Sequence, residues 1–454
     1  MTTKTTLTFE SGVGTATGAN FLLESEAGKN LIDCGLVQGS QFAEEINKDD
    51  FPYDASSIKN LFVTHAHADH IGRIPKLVRA GFRGTIYSTP ATKHLAAVML
   101  SDILVQIRRE AGSQKVEPIF NNEDIDKALE LWKEIPYHEP TTIGDFVVTL
   151  RDAGHILGST MFEFVKNGKK IVFTGDLGNS PTPLLPDTET ITDADYMVME
   201  SVYGDRNHEP KSERREKLKR VINDTIKRGG TIVIPAFSLE RTQVILYELN
   251  NLIENKEIQS IPVFLDSPLA IKVTSVYKSF SASFNKAVQQ EQSEGDNIFE
   301  FPGLKFVRTT EESRGIVRHA GSKIIIAGSG MSTGGRVIHH EREFLNDPQS
   351  TILIVGYQVA GSLGRELQDG AKSVQIEGKD ISVKAKIETI LGYSSHKDSD
   401  HLIEFVGNTA KTLKCVWVAM GEPKSSLFLT QRLRDYLGVN AVYPKVGETV
   451  VLDM

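Results

Sequence analysis

Between residues 65 and 70 the chain reads His65-Ala66-His67-Ala68-Asp69-His70, directly after a β-type run from Ile58 to Thr64 and directly before a helical stretch starting near Ile71. In extended backbone alternate side chains face the same way, so His65 and His67 point together while Asp69 and His70 fall on the first helical turn. Three imidazoles and a carboxylate then converge on one point, the donor set that suits a zinc ion. A lone histidine reads as a core or surface residue, but this spacing at a strand end does not.

Two further donors follow, His155 in Gly154-His155-Ile156-Leu157-Gly158-Ser159 and Asp176 in Thr174-Gly175-Asp176-Leu177-Gly178. Each closes a strand-like run, where a loop can aim a side chain into a site. The two oxygens of Asp176 can bridge a pair of metals roughly 3.5–4 Å apart. Taken singly, His155 fits a structural role as well as a ligand role, and Asp176 fits a turn. Asp33, which closes Asn30 to Cys34, suits orienting a ligand histidine better than binding metal itself.

At 454 residues the chain exceeds one hydrophobic core, so two or three domains are expected. Up to about Gly178 short β-type runs alternate with turn glycines, which suggests antiparallel hairpins: Leu7 to Phe9, Ala19 to Glu24, Asn30 to Cys34, Leu61 to Thr64, Phe146 to Arg151, Met161 to Val165 and Lys170 to Thr174. Helices are expected over Thr92 to Glu110 and Asn122 to Ile135. From about Asp205 strand–helix units recur, Thr231 to Pro235 before Glu240 to Asn250, Pro262 to Leu265 before Leu269 to Phe280, and Lys323 to Ala327 before Gly335 to Phe344. That alternation is the pattern of a parallel, doubly wound sheet. A strand near Ser382 to Ile390, a helix over Ser399 to Val406 and a strand at Lys414 to Ala419 close the chain, and the fold class is α/β.

No apolar run reaches the roughly 18 residues that span a bilayer, and Met1 to Glu10 lacks the basic start and apolar stretch of a signal peptide, so a cytoplasmic protein is expected. Cys34 and Cys415 each sit in an apolar strand-like run and read as reduced core residues. A formal charge of −8 excludes a protein that coats nucleic acid non-specifically but leaves room for a basic groove on an acidic enzyme.

The run His65 to His70 followed by His155 and Asp176, with Asp33 upstream, resembles the metallo-β-lactamase superfamily. Met199-Glu200-Ser201-Val202-Tyr203-Gly204, Pro235-Ala236-Phe237-Ser238 with Arg241 and Gln243, Asp266-Ser267-Pro268, Ser329-Gly330-Met331 with Gly334 and Gly335, and Gly392 through His396 resemble its β-CASP branch. That branch includes the pre-mRNA 3′-end endonuclease and bacterial and archaeal ribonucleases, and the resemblance spans nearly the whole chain. It implies a metallo-β-lactamase αββα sandwich with an inserted β-CASP domain, residues 1–205 and 380–454 forming the sandwich and 206–379 the insertion.

The resemblance further implies a zinc-dependent ribonuclease that hydrolyses RNA phosphodiester bonds, mainly endonucleolytically and on single-stranded RNA. A first zinc would lie on His65, His67 and His155, a second on Asp69 and His70, with Asp176 between them. A hydroxide on the pair would attack phosphorus in line, with Asp69, Glu200 and His396 as catalytic residues. Glu200 would orient His396, which protonates the leaving oxygen; without the family, His396 reads as a polar loop residue and Glu200 as an acid near a helix start. A homodimer is compatible with this reading.

RNA contacts are expected at Ser238, Arg241, Ser329, Gly330 and Arg336. The run Gly328 to Gly335 lies between a strand and a helix, where backbone N–H groups can approach a phosphate, although a glycine-rich turn alone reads equally as a plain turn. The mixed-charge run Lys211 to Arg220 reads as a solvated helix face.

One position departs from the pattern. RNA-cleaving members carry a histidine in a Val-His-Gly-Glu context that completes the second zinc site, whereas this chain reads Val418-Ala419-Met420-Gly421-Glu422. A thioether is a weak zinc ligand beside imidazole, so the second site is expected to be weakened. Two alternatives follow: a small-molecule hydrolase of the same superfamily, such as a thioesterase or lactamase, or an RNA-binding subunit with weakened catalysis.

Overall fold

The computed structural model describes residues 4–39, 42–356, 358–359 and 361–454. They form two compact units, Met1–Asn207 with His396–Met454, and His208–Ser395.

Two seven-stranded sheets build the first unit. Strand Thr5–Ser11 shows why they face each other: Leu7 and Phe9 are fully buried while Thr6, Thr8 and Glu10, which alternate with them, are half-exposed, the period-2 signature of a strand with one face inward. Phe62 from one sheet meets Phe164 from the other edge-to-face at 4.8 Å, and Phe21, Phe146, Phe162, Phe173 and Trp417 fill the same interlayer core. A second apolar layer covers the outer face of one sheet, where Leu402 and Phe405 of helix Ser399–Gly407 and Leu429 and Leu433 of helix Pro423–Leu437 pack on Met197, Val416 and Val418. Pro423 starts the latter helix and Gly438, at φ +65°, ends it, the residues that these positions favour.

Two expectations change here. Strands Ile58–Phe62, Thr85–Ser88 and Trp132–Glu134 add in parallel to Gly28–Ile32, which itself closes the expected antiparallel hairpin with Asn20–Ser25, because helical crossovers lead into each of the three. The helix expected over Asn122 to Ile135 ends at Glu130, and Trp132–Glu134 becomes an edge strand. Burial of the Trp132 ring, whose indole N–H donates to the Ser88 hydroxyl at 2.8 Å, outweighs local helical preference.

In the second unit a six-stranded sheet runs Leu304–Phe306, Val263–Asp266, Lys323–Ala327, Thr231–Pro235, Thr351–Val355, Lys386–Ile390, and every neighbouring pair is parallel. Strand Lys386–Ile390 is thus hydrogen-bonded into this sheet. The run Lys211 to Arg220 lies on helix Lys211–Lys227, where Arg214, Arg215, Lys217 and Lys219 are all ion-paired to glutamates of the same unit. No helix among the described residues is long and apolar enough to cross a membrane.

Candidate metal centre

The candidate donors of the first unit all follow strands and gather at one rim. Asp33 follows Gly28–Ile32, His65 and His67 follow Ile58–Phe62, His155 follows Phe146–Asp152, Asp176 follows Lys169–Phe173 and Glu200 follows Tyr196–Met199. Asp69 and His70 lie on the short helix Ala68–Ile71. Close backbone approach makes this possible. A Cβ on Gly178 would come within 1.9 Å of the Gly154 carbonyl oxygen, so only glycine lets the Asp176 loop press on the His155 loop, and Gly178 N–H donates to Ala153 O at 2.7 Å.

His65 Nε2 lies 3.1 Å from His67 Nδ1, His155 Nε2 lies 3.3 Å from the same nitrogen, and Asp176 Oδ2 lies 3.4 Å from His65 Nε2 and 3.5 Å from His155 Nε2. A tetrahedron with metal–nitrogen bonds near 2.0–2.1 Å has edges of about 3.3 Å, so these four atoms stand where tetrahedral ligands of one ion would. On the other side of Asp176, its Oδ1 lies 3.5 Å from His70 Nε2, which is 3.8 Å from Asp69 Oδ2. Both His70 Nε2 and Asp176 Oδ1 are buried without a hydrogen-bond partner. Buried polar atoms without a partner are costly, and a cation bound between them removes that cost. The residues fit a divalent metal.

Electrostatics prepare the same set. Burial, followed by neighbouring imidazoles, holds His65 below and His67 and His155 well below the usual histidine value, which leaves them neutral and able to bind metal. Burial opposes ionisation of Asp176, but His70 and His65 overcome it and hold the carboxyl well below its usual range. His70 behaves differently. Burial disfavours its charge, but Asp176, Asp33 and Asp69 together raise it well above the ordinary value.

Asp33 stands behind the ligands. Its Oδ2 meets His70 Nδ1 at 2.8 Å and accepts from the Thr64 hydroxyl at 2.8 Å, while Oδ1 accepts from Thr64 N–H at 2.8 Å. Thr64 also lies 3.1 Å from His65 Nδ1. Sequence reasoning misses Thr64, two residues past strand Ile58–Phe62, because a threonine there carries no signal of its own.

Glu200, fully buried, presents both carboxylate oxygens at 3.3 Å to His396 Nδ1, which is also 3.9 Å from Asp176 Oδ2. Burial opposes the charged imidazole, but Glu200 and then Asp176 outweigh it and raise His396 to about 9.

Met420 is 3% exposed in the interlayer core at φ +44°, and a Cβ on Gly12 would lie 2.7 Å from its sulfur. With Asp33, His70 and Glu200 it borders a cavity of about 10 Å³, room for one water at most. No imidazole is present there to join His70.

The expected RNA-contact residues lie in the second unit, at the carboxyl ends of its central strands. The Ser238 and Ser267 hydroxyls are 3.2 Å apart, and a Cβ on Gly330 would strike Phe237 at 2.7 Å. The Ser329 hydroxyl accepts from Thr333 N–H at 2.9 Å. The two arginines are engaged by their own fold. Arg336 donates to Asp266 at 2.6 Å and to the carbonyls of Val307 and Arg308, and Arg241 donates to Val355 O at 2.6 Å. His340, fully buried, meets Asp266 at 2.6 Å.

Comparison with known proteins matches three family profiles, a metallo-beta-lactamase superfamily domain over residues 22–201, a Beta-Casp domain over 242–367 and a Zn-dependent metallo-hydrolase RNA specificity domain over 380–444. Ribonuclease TTHA0252 of Thermus thermophilus is 36% identical over 390 residues, covering 86% of this chain and 88% of its own. The RNase J-like protein of Methanocaldococcus jannaschii is 31% identical, covering 94% of each chain. Transcription termination factor FttA of Thermococcus kodakarensis is also 31% identical, over 93% of this chain and 67% of its own length. The solved structure of a protein of unknown function from Enterococcus faecalis V583 aligns over 99% of this chain and 100% of its own with a TM-score of 0.58 at 13% identity, a likeness of fold alone.

Proposed function

We propose that this chain, which belongs to the β-CASP branch of the metallo-β-lactamase superfamily, is a zinc-dependent hydrolase of RNA phosphodiester bonds that cuts single-stranded RNA internally. The observation that carries the reading is the tetrahedral set of donors on His65, His67, His155 and Asp176 with the Glu200–His396 pair against the same aspartate. Relatives named ribonucleases along most of the chain supply the substrate class.

Asp176 would hold both metals, with His65, His67 and His155 on one side and Asp69 and His70 on the other. A divalent pair bound there supplies Lewis-acid activation of water and neutralises charge on the phosphate. Asp33 fixes His70 by accepting at Nδ1, which leaves Nε2 for metal. Glu200 holds His396 through Nδ1, so Nε2 is the atom that delivers a proton to the departing oxygen. A carboxylate partner also stabilises the charged ring before transfer. Ser238, Ser329 and the backbone at Gly330 receive phosphates of the strand, while Arg336 and Arg241 shape those loops from behind. With Met420 where an imidazole would stand, the second metal would have Asp69, His70 and Asp176 as protein ligands, one fewer than the first. Cys34 and Cys415, buried and unbridged, suit the reducing cytoplasm.

A panel of internally labelled single-stranded RNA, single-stranded DNA of the same sequence, and ester and lactam substrates tests the reading. Internal RNA cuts that vanish in His396→Ala are expected. Ester or lactam turnover without RNA cleavage would establish the small-molecule hydrolase instead, and RNA binding without any cleavage the non-catalytic subunit.

A further inference from the structure

We propose that Lys397 is a positioning residue that locks the loop carrying His396 onto the loop carrying Asp176, and so sets the distance between proton donor and metal-side carboxylate. The proposal rests on the reading of His396 as proton donor. Lys397 occupies consecutive carbonyls of the Asp176 loop with two donors of its own: its backbone N–H meets Leu177 O at 2.8 Å and its ammonium meets Gly178 O at 2.8 Å. The ammonium also reaches the Ser180 hydroxyl at 3.4 Å. Gly178 and His396 themselves form a β-bridge. From the opposite side Leu177 N–H donates to Glu200 Oε1 at 2.6 Å, on the carboxylate that faces His396. Leu177 and Gly178 are therefore gripped between Glu200 and Lys397, one residue beyond Asp176.

The ammonium is an expensive way to fill this space. Lys397 is 6% exposed, and burial pulls its basicity down. The carboxylates that act on it, Asp187 foremost and then Glu200, Glu404 and Asp398, do so at a distance, while its direct partners are a carbonyl and a hydroxyl. An apolar side chain of similar volume would avoid the desolvation cost of a buried cation. What it could not supply is a donor long enough to cross from the His396 loop to Gly178 O. Misplacing a reacting group by about 1 Å can cost on the order of 100-fold in rate, so a tie of this kind has a catalytic return.

The test compares wild type with Lys397→Met, which keeps reach but removes the donor, and Lys397→Arg, which keeps a cationic donor. Turnover of single-stranded RNA, zinc per chain, and hydrogen exchange of peptides spanning 174–182 and 394–400 are measured on the full chain. Lys397→Met is expected to lower kcat about 10–100-fold with KM within about twofold. Its zinc content should stay that of wild type, exchange should quicken in those two peptides, and Lys397→Arg should recover part of kcat. Unchanged kcat, a fall in zinc content that parallels the fall in rate, or an arginine variant no better than methionine would each overturn the proposal. Should Lys397→Met not fold, Lys397→Gln, which keeps a donor on a shorter arm, replaces it with the same expected signature. If wild type itself fails to cut RNA, the hydrolase reading falls, while the exchange data still decide whether Lys397 pins the two loops.

Discussion

Replacing Asp33 tests the support behind the metal ligands. Asp33 is 1% exposed and accepts from Thr64 N–H, the Thr64 hydroxyl and His70 Nδ1, each at 2.8 Å. Asp33→Ala leaves these three donors beside a cavity that holds one water at most, at about 1–3 kcal/mol apiece for an unmet buried group. Its backbone also sits at φ +58°, where aspartate and asparagine are tolerated and alanine costs roughly 1 kcal/mol more. Allowing for relaxation, a loss of about 3–6 kcal/mol is expected. Asp33→Asn keeps the backbone preference and an acceptor, so it should lose only about 1–2 kcal/mol while zinc affinity falls roughly 10–100-fold through His70. Both tryptophans, Trp132 and Trp417, lie in the first unit, so urea unfolding followed by tryptophan fluorescence on chelator-treated protein reads this unit directly. Zinc affinity is read separately against a competing chelator. An Asp33→Ala midpoint equal to wild type, or an Asp33→Asn variant that binds zinc as tightly as wild type, would refute the role assigned to this carboxylate.

Glu200→Gln should keep its zinc but lose about 10²–10⁴-fold in kcat, because an amide neither stabilises the charged His396 ring nor fixes its tautomer; wild-type turnover would remove Glu200 from the mechanism. Arg336→Ala should destabilise the second unit by about 1–3 kcal/mol by taking one of three side-chain partners from buried Asp266, which keeps His340 and Ser313, with little change in KM for the folded fraction, and a large KM change at wild-type stability would make Arg336 a direct RNA contact. Burial pushes Glu341 up to about 7, so the folded state favours its neutral form. A carboxyl raised in this way contributes stability that is full below the unfolded value near 4.5 and is lost as pH rises through about 7. Glu341→Gln should therefore flatten the decline in melting temperature between pH 5 and pH 8, by up to about 3 kcal/mol, and an undiminished slope would contradict it.

Much of the centre could be read along the chain because its chemistry is compressed. His65, His67, Asp69 and His70 switch from strand to helix periodicity within one turn, and the structure brings all four to one rim. His155 and Asp176 could not be distinguished from turn residues singly, since what gives them meaning is the convergence of separate strand ends. Glu200 and His396, 196 positions apart, were visible only through family resemblance. Thr64 and Lys397 gave no sequence signal, because a hydroxyl or ammonium acquires its role from carbonyl and carboxylate partners supplied by other loops. Arg336 shows the reverse. A guanidinium beside a glycine-rich turn looks made for phosphate, yet Asp266 and two carbonyls already take up three of its five N–H donors. Trp132 marks where tertiary pairing overrode a helical pattern.

The most direct measurement is the rate of cleavage of a labelled single-stranded RNA as zinc is returned stepwise to chelator-stripped protein, beside a His67→Ala control. Activity that is absent at the start, rises with zinc bound and never appears in the control is the predicted result. Cleavage by the stripped protein, or equal cleavage by the control, would mean that the histidine and aspartate cluster is not where the RNA is cut.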